Sequence, residues 1–359
     1  MSWLAYGILS SAAFGIQDTI SYDLLSVDKL GSGAVNTVVH GVFLILGLGA
    51  VYASKQTKML ADIKTILRDY SLWITLAGVC ALLGNVLLYW AYQLGVHVNP
   101  GVITTIGNGA VIVSTLLAYI FYDAKVTAKQ LLGMAVMLVA FGMAAMGDKL
   151  LPSPGPGAKS AGPGEAATKD HHAKDHHAKD HHAKDHHAKD HHAKDHHAKG
   201  KHMWVFVAVV SAMAYGGLSF FQYVITKKDS KLNMISLAIC VTLVEAVIGA
   251  LIYCLAHFKE FEGIEAGPFK NYRKDVNSLM ALKYLPYTTS TAACDGMGLA
   301  ALLKSYTLAK NPGFSDVVSD TYSMVQGVLT YLVYGKKIDV VQGLAVVIAV
   351  AGAALISIK

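Results

Sequence analysis

Five carboxylic acids stand in stretches that are otherwise apolar: Asp18, Glu245, Asp295, Asp316 and Asp320. Lys304 joins them, and the amides Gln17, Asn85 and Asn108 occupy similar settings. An ionisable side chain at the centre of a bilayer costs roughly 2.5–3.5 kcal/mol on insertion scales, so it needs a partner or water. Groups of this kind bind polar solutes, relay protons or compensate one another. Asp316 and Asp320 are four apart and share a helical face. They follow Lys304 after a short turn, which makes them its expected partners, with Asp295 roughly 180° away around Lys304's own helix. These acids, the lysine and the three amides form the expected substrate-binding set. Each also has a plainer role. Asp18 can bond to helix backbone, Glu245 can pack as a neutral acid, and Asn85 and Asn108 can join helices.

A second group of chemical side chains lies in one low-complexity tract. "DHHAKDHHAKDHH" opens a run of six His-His pairs repeated every five residues. If the run is helical, His172 and His176 share a face, as do His177 and His181, and such pairs chelate Zn²⁺, Ni²⁺ or Cu²⁺. The pentad advances roughly 140° per unit on a helix, so no continuous histidine stripe forms. The reading favoured is a spacer whose metal binding is incidental and weak; a metal-collecting loop is the alternative. The other histidines, His40, His97 and His257, are scattered. No cofactor is expected.

The surroundings decide what these groups face. The chain is 54% hydrophobic and 15% charged, with a mean hydropathy of +0.44. Soluble domains carry about a quarter charged residues. The apolar runs reach the length of about 20 residues that a helix needs to cross a bilayer. The fold class expected is therefore an all-α integral membrane protein, with ten spans near 3–22, 33–53, 71–94, 101–122, 128–147, 204–226, 233–257, 285–308, 313–334 and 339–358. The net charge of +6 bears on topology rather than nucleic-acid binding. Four cysteines, all inside apolar runs, make no disulfide framework. The first span lacks a basic leader and is interrupted by Gln17 and Asp18, so it reads as retained. Residues 148–203, rich in Pro, Gly and His, read as a flexible linker between 1–147 and 204–359.

The two halves read as copies. Asn99-Pro100-Gly101 recurs as Asn311-Pro312-Gly313, and the same offset of 212 sets Tyr119 on Tyr331, Tyr122 on Tyr334 and Lys125 on Lys337. Gly84, Tyr92 and Leu94 match Gly298, Tyr306 and Leu308; Phe14 and Gly15 match Tyr215 and Gly216. Five spans per copy force the second copy to enter from the opposite side, giving two inverted five-helix repeats. The Lys and Arg distribution favours both termini in the cytoplasm, in a plasma (inner) membrane, with the linker on the other side. Lys259, Lys270, Arg273, Lys274 and Lys283 count against that orientation.

This organisation resembles the EamA-like branch of the drug/metabolite transporter superfamily. The resemblance is carried by "SSAAFG" and "SAMAYG" in spans 1 and 6 and by the two units that begin at Asn99 and Asn311. It covers nearly all of the chain except the linker. The turn acid usual after span 4 appears only as Asp123, and Gly335 replaces it after span 9. The resemblance implies transport, often export, of small metabolites. The main expectation is thus a secondary transporter, not an enzyme, for a small polar or amphipathic molecule. A divalent-cation carrier served by the histidine linker is the alternative. A receptor or scaffold is a third class. The lipid bilayer is a partner in every case, and a homodimer remains open.

Overall fold

A computed structural model describes residues 2–122, 125–150, 202–229, 231–258, 267–308 and 318–357. Every regular element among them is helical. In chain order the α-helices are α1 (Trp3–Tyr22), α2 (Ser32–Ala53), α3 (Thr57–Asp69), α4 (Ser71–Leu94), α5 (Pro100–Gly107), α6 (Ala110–Tyr122) and α7 (Ala128–Leu150). The second half supplies α8 (Met203–Lys228), α9 (Met234–Leu255), α10 (Tyr272–Leu279), α11 (Leu285–Leu308), α12 (Tyr322–Tyr334) and α13 (Val340–Ser357). The histidine tract and Asp316 lie outside the described residues, as do Asp123 and the Asn311-Pro312-Gly313 unit.

Seven segments are long and apolar enough to cross a membrane: Ser32–Ala53, Ser71–Leu94, Pro100–Phe121, Ala128–Gly147, Met203–Lys228, Met234–Leu255 and Val340–Ser357. The chain is therefore read as a multi-pass membrane protein. Helices α1, α11 and α12 stand where three further spans were expected. Two of them have the length, 20 and 24 residues, but they carry Gln17, Asp18, Asp295 and Lys304. The third has 13 residues.

Three features depart from the sequence reading. The polar stretch between α2 and α4 is helical: α3 places Met59 and Ile66 inward and Lys58, Lys64 and Arg68 outward, an amphipathic pattern. The stretch between α9 and α11 likewise holds α10. The fourth span is also broken, because α5 ends at Gly107 and α6 starts at Ala110. The amide of Ile112 turns to the Gly109 oxygen at 3.0 Å, an i→i+3 bond. The ninth span breaks at the matching place. There the amide of Met324 bonds to the Thr321 oxygen at 2.9 Å, and α12 begins at Tyr322. Helices α6 and α12 are thus offset by 212 at both ends.

Local sequence sets several boundaries. Pro100 opens α5, and the Asn99 side chain caps it by accepting from the Gly101 amide at 2.9 Å. Asn233 caps α9 through the Ile235 amide at 2.8 Å. Gly335 ends α12 with φ of +65°, a left-handed conformation that glycine adopts without a Cβ clash. That accounts for glycine at this turn in place of an acid.

The helices pack in a pattern that swaps between halves. Helix α1 packs on α11 and α12, while α8 packs on α4 and α6. Helix α9 meets α4 and α3, while α2 meets α11 and α10. Two pairs join like with like, α2 with α9 and α7 with α13, while α5 meets α12, the counterpart of α6. Small residues permit the close approach. A Cβ added at Gly84 would sit 2.8 Å from the Tyr215 ring, and one at Gly298 would sit 2.8 Å from the Phe14 ring. A Cβ at Gly216 would strike Val113, and one at Gly15 would strike Val325. At the α7–α13 crossing, Gly133 faces the main chain of Gly352.

Candidate functional site

Polar side chains from eight helices converge on the middle of the bundle. Helix α4 is the spine, because Asn85, Tyr89 and Tyr92 are spaced i, i+4 and i+7 on one face, spanning about 10 Å. Around Asn85, α2 contributes His40, α8 contributes Tyr215 and α9 contributes Glu245. Around Tyr92, α1 contributes Asp18, α5 contributes Thr104 and α12 contributes Gln326.

In the Asn85 group the amide orientation sets the protons. His40 Nδ1 lies 2.9 Å from the main-chain oxygen of Asn36, which can only accept, so Nδ1 carries a proton. The Asn85 carboxamide nitrogen lies 3.3 Å from His40 Nε2 and 3.2 Å from Glu245 Oε2. Its two hydrogens serve those two acceptors, leaving Nε2 as a lone pair and His40 uncharged. His40 Nε2 and Glu245 Oε2 are 3.9 Å apart, beyond a direct hydrogen bond. The Tyr215 hydroxyl donates to Asn85 Oδ1 and fixes the amide's orientation.

The Tyr92 group is a chain. The Tyr92 hydroxyl donates to Asp18 Oδ2 at 3.0 Å and lies 2.6 Å from Thr104 Oγ1. Thr104 Oγ1 also lies 2.6 Å from Gln326 Oε1. Thr104 gives its one proton to Gln326 Oε1, which only accepts, so at the Tyr92 contact Thr104 is the acceptor and Tyr92 shares its proton between Asp18 and Thr104. Asp295, on α11, is close enough to interact electrostatically with both Asp18 and His40, one from each group. Tyr89 and Tyr322 flank the same space; the Tyr89 and Tyr92 ring centres are 6.1 Å apart and Phe14 to Tyr322 is 6.0 Å.

The expected residues therefore divide. Asp18, Asn85, Glu245 and Asp295 share the centre, and Gln17 is buried facing Tyr89. Asn108 and Asp320 meet instead at the paired helix breaks, beside a small crevice with Thr105, Ser323 and Met137. Lys304 is exposed and lies nine residues along α11 from Asp295, about 13 Å. Its neighbour Ser305 donates to the main-chain oxygen of Trp3, where α1 begins, so Lys304 stands toward that end of the bundle. Asp316 and the four candidate metal-binding histidines, His172, His176, His177 and His181, lie outside the described residues. Among the described residues no group of three or more His, Cys, Asp or Glu side chains is placed to hold a metal ion.

Sequence reasoning missed His40, Tyr89, Tyr92, Tyr215, Tyr322 and Gln326. His40 carried a signal: Asn36 precedes it by one helical turn within an apolar run. Tyr92 and Tyr215 were used only as marks of the internal repeat.

The sequence matches no protein-family model and no curated protein. A solved structure titled only "Crystal structure of protein" is similar over 98% of this chain and 95% of its own, at 11% identity and a TM-score of 0.45. A likeness at that level carries no functional argument.

Proposed function

We propose that the chain is a secondary transporter, most simply an exporter, of a small polar or amphipathic molecule. Its ten spans form two inverted five-helix repeats, and the halves rock about the polar centre to expose it on either side. One observation carries this reading: the exchange of neighbours between halves. Helices α1 and α8 each pack on the third and fourth spans of the opposite half, so the contacts map onto themselves when the halves are swapped. The breaks at Asn108-Gly109 and Thr321 follow the same rule. Broken helices at membrane depth are tolerated where they meet protein or a cavity, and paired breaks are a feature of carriers built this way. The polar centre supports the reading chemically, since it gathers groups from both halves where motion of one half against the other would open it. The resemblance to EamA-like transporters agrees with this architecture and with both termini lying in the cytoplasm.

The test is solute flux. Full-length protein reconstituted into liposomes is screened for saturable uptake of labelled cationic, zwitterionic and anionic metabolites. Saturable uptake lost in Asp18→Asn and Glu245→Gln supports the proposal. A folded, reconstituted protein that moves none of them contradicts it.

A further inference from the structure

The polar centre contains three carboxyl groups, Asp18, Glu245 and Asp295, and the basic side chain beside them among the described residues is His40. Even when protonated, His40 supplies one positive charge against three carboxyl groups. Glu245 and Asp18 are almost fully buried, at 3% and 6% exposure. Glu245 accepts from Asn85 and Asp18 from Tyr92. Asp295 keeps partial exposure inside the bundle and is bonded to none of these groups.

A second observation is independent of the acids. Asn36 is fully buried on α2, its amide nitrogen faces the Glu245 carboxyl, and its amide oxygen has no hydrogen-bond partner. A buried acceptor left without a partner is costly, and an N–H donor that enters the centre completes it.

We propose that this centre binds an organic ammonium ion, with its nitrogen at Asp295 and its apolar body between the rings of Tyr89, Tyr215 and Tyr322. A cation matches the charge of the centre: ionised carboxylates without a counter-ion are unfavourable in a low-dielectric interior, and a bound ammonium relieves that cost. Tyrosine rings add attraction for a cation and cover its hydrocarbon. A bare metal ion fits less well, because the acids are spread over about two helical turns of the spine and are not gathered as ligands. The inference deepens the transport reading by naming the class of substrate, but binding can be measured without flux.

The probe is phenethylammonium, set against phenethyl alcohol and phenylacetate, which share its body and differ in charge. Binding is followed by calorimetry and thermal shift on the purified full-length protein. The amine should bind and raise the melting temperature, the alcohol and the acid should not, and Asp295→Asn should weaken the amine at least about tenfold. Equal or better binding of the alcohol or the acid overturns the inference. So does amine binding unchanged in Asp295→Asn, or a shift given by sodium ions alone and not by the amine. Should Asp295→Asn fail to fold, the wild-type protein serves. Carbodiimide labelling of Asp295, read by mass spectrometry, should be blocked by the amine and not by the alcohol, and no protection overturns the inference. Amine binding without flux would overturn the transport reading alone. Flux of other solutes without amine binding would overturn this inference alone.

Discussion

Asn108 donates its carboxamide N–H to the main-chain oxygen of Asp320 at 3.1 Å. The two residues are 212 apart, the same offset that relates the two halves, so equivalent positions touch each other. The break in the second half turns the Met324 amide to Thr321. The Asp320 carbonyl accepts from the Asn108 side chain across the bundle, and Ser323 Oγ adds a longer contact at 3.3 Å. Asn108→Ala should therefore destabilise the protein by about 1–3 kcal/mol. Ser323→Ala should cost less. Thermal unfolding in detergent checks the order; a silent Asn108→Ala would mean that another group satisfies the carbonyl.

The glycines at the exchanged contacts predict matched effects. Gly298→Val should overpack against Phe14 and cost about 1–3 kcal/mol. Combining it with Phe14→Ala should recover part of that loss, because the ring it strikes is gone. Gly84→Val should be destabilising against Tyr215 in the same way. Its rescue by Tyr215→Ala should be poorer, since that change also removes the donor to Asn85. A double-mutant cycle on unfolding midpoints measures both.

Asn85 bridges His40 and Glu245, so replacing it leaves two buried acceptors unserved. Asn85→Leu is expected to lower stability by about 2–3 kcal/mol, since one of the lost bonds goes to a carboxylate. It should also reduce transport, whereas Leu83→Ala, on an exposed position of α4, should leave transport unchanged. A flux assay with parallel unfolding curves separates the two. Equal effects would remove Asn85 from the site.

The linker yields predictions on topology and tolerance. A cysteine placed at Ser160 should react with an impermeant maleimide from outside intact cells, while one added at either terminus should not. Protection at Ser160 would reverse the orientation. Removing Lys169 to Lys199 should leave transport largely intact, because shortening a long connection changes closure entropy little. A well-inserted but inactive deletion would give the histidines a role.

Helix positions were legible in the sequence because about 20 consecutive apolar residues have few other uses. Gly, Tyr and Asn-Pro-Gly recur in order in the sequence, and the ends of α6 and α12 keep the same offset of 212. The helix breaks were not legible. Asn108-Gly109 reads as part of a continuous span, and the side-chain bond across to Asp320 sits at the break. The site was half legible. Buried acids such as Asp18 and Glu245 stand out in apolar runs, but tyrosines look like core or interface residues until their hydroxyls are seen to converge. Lys304 is conspicuous by its charge; it stands exposed near the end of α11, and its expected partner Asp316 lies outside the described residues.

The central claim is that the two halves carry a solute across the membrane around the polar centre. Counterflow tests it most directly. Liposomes holding the purified protein are loaded with unlabelled phenethylammonium and diluted into a trace of the labelled compound. The account predicts a transient, saturable accumulation of label, absent from empty liposomes and lost in Asp295→Asn. Accumulation no greater than in empty liposomes, for this compound and for the wider panel of metabolites, would contradict it.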